Sequence, residues 1–158
     1  MRPGVKPGLR IVLLWLILLL IQACSEDDSA EDQIRRFIDR GVQAIEARSV
    51  DDFSELLHAN FVDQKGNNLE QSARLMRALY FRHKNIHLFS RIDNIEMLSA
   101  NKASVSLYVA MASTVISDVS ALSSLSARIY RFELQLVKQD DWLLRHASWE
   151  PANISAFE

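Results

Sequence analysis

Apolar residues between Asp32 and Arg48 recur every three or four positions, a spacing that places them on one face of a helix. Charged residues occupy the opposite side, so the segment predicts an amphipathic helix of about four to five turns. The apolar positions are Ile34, Phe37, Ile38, Val42 and Ile45. Such a helix needs a partner surface on which to bury its apolar stripe.

The next segment predicts a short helix and a turn. Ser49 and Asp52 have the spacing of a capping box, in which the Ser49 hydroxyl accepts a backbone N–H and Asp52 reaches back. The helix that follows carries the apolar residues Phe53, Leu56 and Leu57. Residues 61–68, FVDQKGNN, then predict an extended piece and a turn, where Gly66 and the two asparagines suit left-handed backbone.

A third helix is predicted over residues 69–84. Its apolar stripe consists of Leu69, Ala73, Met76 and Tyr80, with Leu75 and Leu79 beside it. It is the most basic of the predicted helices, because it contains four basic residues and a single acidic one, Glu70. The basic residues are Arg74, Arg77, Arg82 and Lys84. The basic side suits either a solvated surface or contact with anionic head groups.

Beyond His83 the apolar residues tend to recur at every second position instead of every third or fourth. Four stretches rich in β-branched and aromatic residues predict strands; they are residues 86–98, 103–115, 127–137 and 142–149. Residues 99–102 and 138–141 have the length of hairpin turns, so neighbouring strands are expected to pair antiparallel. Apolar and polar residues alternate from Tyr130 to Leu136, which is typical of a sheet with one buried face.

The N-terminal segment has neither the helical nor the strand spacing of apolar residues. Residues 11–21 form an uninterrupted apolar run of eleven residues, preceded by Arg2, Lys6 and Arg10. A helix that spans a bilayer needs about 20 apolar residues, so this run is too short for a permanent span. A basic segment followed by a short apolar one is the layout of an export signal, predicted to occupy residues 1–23.

The run ends in IQAC, residues 21–24, which resembles the lipobox of bacterial lipoprotein precursors: an aliphatic residue, a tolerant position, a small residue and a cysteine. This resemblance implies attachment of diacylglycerol to Cys24, cleavage before it and acylation of the new N-terminus. Ser25, in place of an aspartate, implies sorting to the outer membrane, on its periplasmic face, rather than retention at the inner membrane. Residues 24–30 then form a lipidated cysteine and a short acidic tether.

Two other interpretations of Cys24 are weaker. It is the only cysteine of the chain, so an intramolecular disulfide has no second half. A catalytic thiolate needs an electropositive setting, whereas Glu26, Asp27 and Asp28 follow.

Charge excludes a general nucleic-acid binder. The chain has 18 basic and 20 acidic residues, and removal of residues 1–23 with their three basic residues leaves 15 against 20. Affinity for a phosphate backbone needs concentrated positive charge, which this balance does not provide.

Helices first and long antiparallel strands afterwards predict an α+β domain with helices packed on one face of a curved sheet. The order resembles the nuclear transport factor 2-like superfamily, which includes ketosteroid isomerase and polyketide cyclase-like proteins, over residues 31–151. The residues that carry the likeness are VQAIEARSVDDFSELLHANFVD at 42–63 and DDWLLRHASW at 140–149. It implies a cone, in which a strongly curved sheet wraps the first helix and leaves a pocket at its open end. Residues 152–158 are expected to form a C-terminal tail.

The same resemblance gives one candidate catalytic residue. Asp63 lies three residues before Gly66, a place like that of the general-base aspartate of ketosteroid isomerase. The tyrosine that stabilises the oxyanion in that enzyme falls near Gly41, and the second acid has only Glu133 as a loose counterpart. A base without an oxyanion stabiliser lacks what is usually the larger contribution. Asp63 is therefore either a general base or a carboxylate that caps a turn.

The histidines do not predict a metal site. His83 and His87 are four apart, but an extended segment begins between them and no glutamate follows His83. No metal and no cofactor are predicted. The candidate residues for lining a ligand pocket are Tyr108, Arg131, His146 and Trp149.

Residues 113–126 interrupt the strand pattern with Ile116, Val119, Leu122 and Leu125. The segment is long and apolar for a hairpin loop, so it predicts a lid, a dimer contact, a partner-docking edge or simply packed strand ends. Two functions follow from the sequence. The first is a membrane-anchored, non-catalytic domain that binds a small apolar ligand or a protein partner in the cell envelope, with a homodimer contact also considered. The second is an isomerase- or cyclase-like enzyme that uses Asp63.

Overall fold

The computed structural model describes residues 28–118, 120, 122 and 127–157. The predicted signal, Cys24 and Ser25, together with Val119 and Leu125, lie outside the described residues. Within these residues the main elements follow in the order α1 Ala30–Glu46, α2 Val50–Glu55, β1 Leu57–Asp63, α3 Leu69–Arg82, β2 His87–Ser99, β3 Lys102–Ala112, β4 Arg128–Lys138 and β5 Trp142–Pro151, with a 3-10 turn at Ile154–Phe157. No helix among these residues is long and apolar enough to cross a membrane.

Local side chains set where the helices begin. Ser29 caps α1 by accepting the Asp32 backbone N–H at 3.1 Å. Ser49 does the same for α2 at 3.2 Å to Asp52 N, which confirms the hydroxyl half of the predicted capping box. The Ser49 N–H donates to the Ala44 carbonyl at 3.0 Å rather than to Asp52. Asn68 caps α3 in a capping box with Gln71. Each cap satisfies a backbone donor that the helix itself leaves unpaired.

The strands form one curved sheet in the order β1-β5-β4-β3-β2. The four long strands are antiparallel neighbours. Short turns join β2 to β3 and β4 to β5, as predicted, whereas residues 113–127 connect β3 to β4. β1, in contrast, pairs parallel to β5, with Asp63 beside Ala147. The fold class is the one predicted, an α+β domain whose helices pack on a strongly curved sheet, and the piece predicted to be short and extended is an edge strand of it.

One face of the sheet, called the inner face below, holds the main core. Ile34, Phe37 and Ile38 of α1 are buried against side chains that alternate along the central strands; these include Val105, Leu107, Leu134, Leu136 and Ala147. Burial of an aliphatic side chain contributes roughly 1.5–3 kcal/mol, so this contact supplies much of the stability of the domain.

The outer face carries a second, smaller core. Ala110 of β3 packs there with Ile116, Leu122 and Phe157. β3 ends at Ala112 rather than at residue 115, and Ile116 and Leu122 of the interrupting segment cover the sheet. The residues expected to form a tail are also part of this core, because the Phe157 ring lies 5.5 Å from that of Phe89. The prediction of a single buried face was therefore wrong at this end of the sheet.

Candidate functional site

The inner face continues beyond the core as a half-buried apolar surface. Phe132 lies at its centre, 6.0 Å from the Trp149 ring and 6.4 Å from the Tyr130 ring. Val109 of β3 pairs with Tyr130, and Ile92 of β2 pairs with Leu107, which is the partner of Phe132 on β3. We call Ile92, Val109, Tyr130, Phe132 and Trp149 the aromatic patch. All five side chains remain partly exposed, so they offer apolar area to a ligand.

The turn after β1 is fastened to one edge of this patch. The Gln64 side chain donates to the Trp149 carbonyl at 2.9 Å and accepts the Trp149 N–H at 3.2 Å. The Lys65 ammonium lies 5.5 Å from the centroid of the Trp149 ring, within the range of a cation–π contact. The patch therefore combines an apolar floor with one positive charge at its rim.

Asp63 ends β1 on the inner face and is 6% exposed. One carboxylate oxygen accepts the N–H groups of Lys65 and Asn67, both at 2.8 Å, and the other accepts the Asn67 side-chain amide at 2.8 Å. Gly66, with a φ of 83°, supplies the left-handed residue that the turn requires. Asp63 is thus the carboxylate around which the turn is built.

These contacts also set the acidity of Asp63. Burial alone raises the pKa of its carboxyl, but the hydrogen bonds from Asn67 and Lys65, together with the Lys65 charge, outweigh burial and lower the pKa below the ordinary value of 3.8. A general base for neutral pH needs a raised pKa instead. The geometry favours the turn-capping interpretation over the catalytic one.

Asp63→Asn is expected to destabilise the domain by about 1–2 kcal/mol at neutral pH, because the charge is lost and an NH2 group replaces one of the two oxygens that accept hydrogen bonds from Lys65 and Asn67. A carboxyl whose pKa is lowered on folding stabilises the fold above its unfolded pKa and loses that contribution as the pH falls through the folded value. Urea unfolding at pH 7 and near pH 3 measures the difference between parent and variant. An equal difference at the two pH values would contradict the assignment. Asp93→Asn, the same substitution at an exposed carboxylate, serves as the control.

The structure separates the four side chains predicted to line a pocket. Tyr108 and Arg131 are cross-strand partners on the outer face, since they alternate with Leu107 and Phe132. His146 lies on that face as well, paired with Gln135, and its Nδ1 donates to the Val62 carbonyl at 2.6 Å. Of the four, Trp149 alone lies on the inner face.

Glu133, the loose counterpart of a second catalytic acid, is also on the outer face. Its carboxylate binds the Arg131 guanidinium at 2.9 Å and accepts the Ser106 hydroxyl at 2.8 Å. Asp63 and Glu133 therefore lie on opposite faces of the sheet and form no acid pair. No group of three or more potential metal ligands occurs among the described residues.

The sequence did not predict that the Tyr80 hydroxyl is buried without a hydrogen-bond partner among the described residues. The residue was predicted to be buried, and it is 5% exposed. Burial raises the pKa of Tyr80, and the nearby Arg48 charge offsets this effect only in part. Nothing in the spacing of α3 distinguishes such an orphaned hydroxyl from a satisfied one.

A concave surface lies away from the patch, between α1 and the turn that joins β4 to β5. It encloses about 670 Å³ and is lined mainly by charged residues, among them Arg36, Asp39, Lys138 and Asp140. A ligand pocket is usually apolar with few polar groups, so this groove is the weaker candidate for an apolar ligand.

No protein-family model matches the chain, and no curated protein matches it. Solved structures do. Bd1075 of Bdellovibrio bacteriovorus is similar with a TM-score of 0.64 at 13% identity, over 82% of this chain and 44% of that protein, so the chain spans less than half of its length. A protein of unknown function from Shewanella oneidensis, described as NTF-2 like, gives 0.55 at 17% identity over 75% and 97%. A ketosteroid isomerase-like protein of Erwinia carotovora atroseptica gives 0.58 at 10% identity over 82% and 98%. The chain therefore has the nuclear transport factor 2-like fold that its sequence predicted.

Proposed function

We propose that this protein is a membrane-anchored lipoprotein whose domain binds a small apolar ligand on the aromatic patch, without catalysing a reaction. One observation carries the proposal: the rings of Tyr130, Phe132 and Trp149 contact one another along one sheet face and remain partly exposed. Aromatic rings in such a position bind flat apolar molecules through contact area and ring stacking. The Lys65 charge suits a ligand that carries a carbonyl, hydroxyl or acidic group at one end.

The hydrogen bonds that the Asp63 carboxylate already accepts support the proposal that the domain does not catalyse a reaction. Its two oxygens already accept three hydrogen bonds from its own turn, and its lowered pKa makes it a weak base. A proton abstracted by such a group would have to displace contacts that hold the turn together. The anchor is supported by the sequence around Cys24, and it places the patch in the cell envelope.

The ligand site is tested with 2-naphthol, a flat apolar molecule with one hydroxyl, added to the chain from Ser25 onward. Binding is expected to raise the unfolding temperature and to saturate, because a ligand that binds only the folded state stabilises it. Trp149→Ala is expected to weaken binding about tenfold, which corresponds to roughly 1.4 kcal/mol. Tyr108→Ala is the matched control, since it removes an aromatic ring from the outer face of the same sheet.

Equal loss of binding in both variants would count against the patch as the site. If neither 2-naphthol nor a wider set of aromatic alcohols and acids shifts the unfolding temperature, the ligand proposal fails. The experiment does not depend on acylation, so it separates the ligand site from the anchor.

A second candidate function is the isomerase- or cyclase-like enzyme. It is favoured by the position of Asp63 on the inner face and by the likeness to a ketosteroid isomerase-like fold. Turnover of an enolisable ketone that disappears in Asp63→Asn, while binding of the ketone persists, would support this function. An inactive parent chain that still binds the ketone would support the non-catalytic one.

A further inference from the structure

The solvent side of α3 combines cations with an exposed aromatic ring. Phe81 is 90% exposed and Leu75 is 55% exposed, although α3 buries Ala73 and Tyr80 on its other side. At 100° per residue, Phe81 lies between Arg77 and Arg74 on the exposed arc. We call Arg74, Leu75, Arg77, Phe81 and Arg82, together with Lys84 just after the helix, the basic-aromatic face.

Most of the positive charge on this face is unpaired. Arg74 forms an ion pair with Glu70 at 2.7 Å. Arg77, Arg82 and Lys84 are exposed and make no ion pair or side-chain hydrogen bond within the part of the chain that the structure describes. The face is thus positive on a chain that is acidic overall. A binding partner that matches this face therefore has a surface with dense negative charge and an apolar region that can accommodate the Phe81 ring.

The interface of a bilayer rich in anionic lipid has both properties. Basic side chains near such a surface are attracted to its head groups, and a phenylalanine on the same helix enters the boundary with the acyl chains. Each contribution is small alone, so a single helix face of this size needs help from a second attachment. The proposed anchor at Cys24 gives that help, because six residues, 24–29, reach at most about 20 Å when extended.

The contacts of α1 place the face at the end of the domain that is remote from the tether. Arg48, just after α1, donates to the carbonyls of Tyr80 and Lys84, and Glu46 accepts the N–H of Leu88. The 17 residues of α1 extend for about 25 Å, so Ala30 and the end of α3 lie at opposite ends of this helix. A bilayer contact at both ends would lay α1 along the membrane.

We propose that the basic-aromatic face of α3 binds the anionic lipid surface of the membrane to which the chain is anchored, and so holds the domain flat on it. The inference rests on the proposed anchor for proximity alone; the chemistry of the face does not depend on it.

The test uses the full chain with vesicles of phosphatidylcholine, alone or in equal parts with phosphatidylglycerol, in which the phosphatidylcholine has brominated acyl chains. Bromine quenches a tryptophan that enters the acyl boundary. Phe81→Trp is expected to be quenched severalfold more than Leu98→Trp, each relative to the unsubstituted chain, and only in the anionic vesicles. Leu98 is the control because it is 57% exposed and lies at the far end of β2 from α3.

Charge reversal then tests the cations. Arg77→Glu with Arg82→Glu is expected to abolish the excess quenching at position 81. Lys102→Glu with Arg128→Glu changes the net charge equally on exposed positions of other elements, and is expected to leave the quenching intact.

Two outcomes would overturn the proposal: quenching at position 81 that does not exceed that at position 98, or quenching that persists after reversal at Arg77 and Arg82. Flotation with vesicles of phosphatidylcholine alone reports on the anchor separately. If the chain floats but shows no excess quenching at position 81, the anchor is supported and the lipid-binding role of the basic-aromatic face is contradicted. If the chain does not float with neutral vesicles but is quenched at position 81 by anionic ones, the anchor is contradicted and the lipid-binding role of the face is supported.

Discussion

Cys24→Ser is expected to abolish lipid attachment and to leave residues 1–23 on the chain. The expected chemistry needs a sulfur nucleophile to form a thioether, and a serine hydroxyl ionises far less readily than a thiol of pKa about 8.5. Cleavage follows lipid attachment in this type of processing, so both changes are lost together. The effect is all-or-none, since several acyl chains anchor a protein firmly and an unmodified cysteine contributes no such anchor.

Mass spectrometry of the N-terminal peptide checks this prediction. The parent chain is expected to begin at Cys24 with acyl groups attached, whereas the variant is expected to begin at the original N-terminus with none. Ser25→Ala is the matched control, because it alters the neighbouring residue and keeps the cysteine. An N-terminal peptide without acyl groups in the parent would refute the lipoprotein prediction, whatever the domain binds.

Trp142→Ala is expected to lower the free energy of unfolding by about 3–5 kcal/mol, the usual cost of removing a large aromatic side chain from a core. Trp142 is 2% exposed and is the largest fully buried side chain of the domain. The main core packs around it, and the methylene chain of Lys138 brings its ammonium to 5.9 Å from the ring centroid. The free energy of unfolding of a domain of this size is about 5–15 kcal/mol in total, so the variant loses a large fraction of it.

Urea unfolding of Trp142→Ala, Trp142→Phe and Trp149→Ala measures these effects. Trp142→Phe is expected to cost much less than Trp142→Ala, partly because the indole N–H has no acceptor among the described residues and its removal leaves no new unpaired group. Trp149→Ala, at a partly exposed position of the patch, is expected to cost the least. If Trp142→Ala and Trp149→Ala destabilise the domain equally, the division between a closed core and an open patch is wrong.

Much of the fold followed from local patterns. The spacing of Ile34, Phe37 and Ile38 predicted α1 and its buried face, and all three side chains are in the main core. The turn at Gly66 and the cap at Ser49 were predicted from residue chemistry, and the structure confirms both. These features depend on contacts within a few residues, so the sequence contains the information needed to predict them.

The candidate site was harder to predict because a bulge changes which face a side chain occupies. Leu144 pairs with Leu136 on the inner face, whereas His146 pairs with Gln135 on the outer face, although the two are only two residues apart. An uninterrupted strand would place both on one face. The extra residue, Arg145, breaks the alternation and turns His146 away from the face of Leu144. The sequence grouped His146 with Trp149 because both lie on the last strand, although residues three apart on an uninterrupted strand point to opposite faces.

Long-range packing decided the rest. By itself, the sequence determined most of the elements, the turn at Gly66, the fold class and the expectation of an anchor at Cys24. The tertiary structure alone decided that β1 pairs parallel to β5, that Phe157 and Leu122 cover the outer face, and that Tyr130, Phe132 and Trp149 meet as one patch. The reason is physical: a local period states which residues share a face, but the partner of that face is chosen by burial between segments that are distant in the chain.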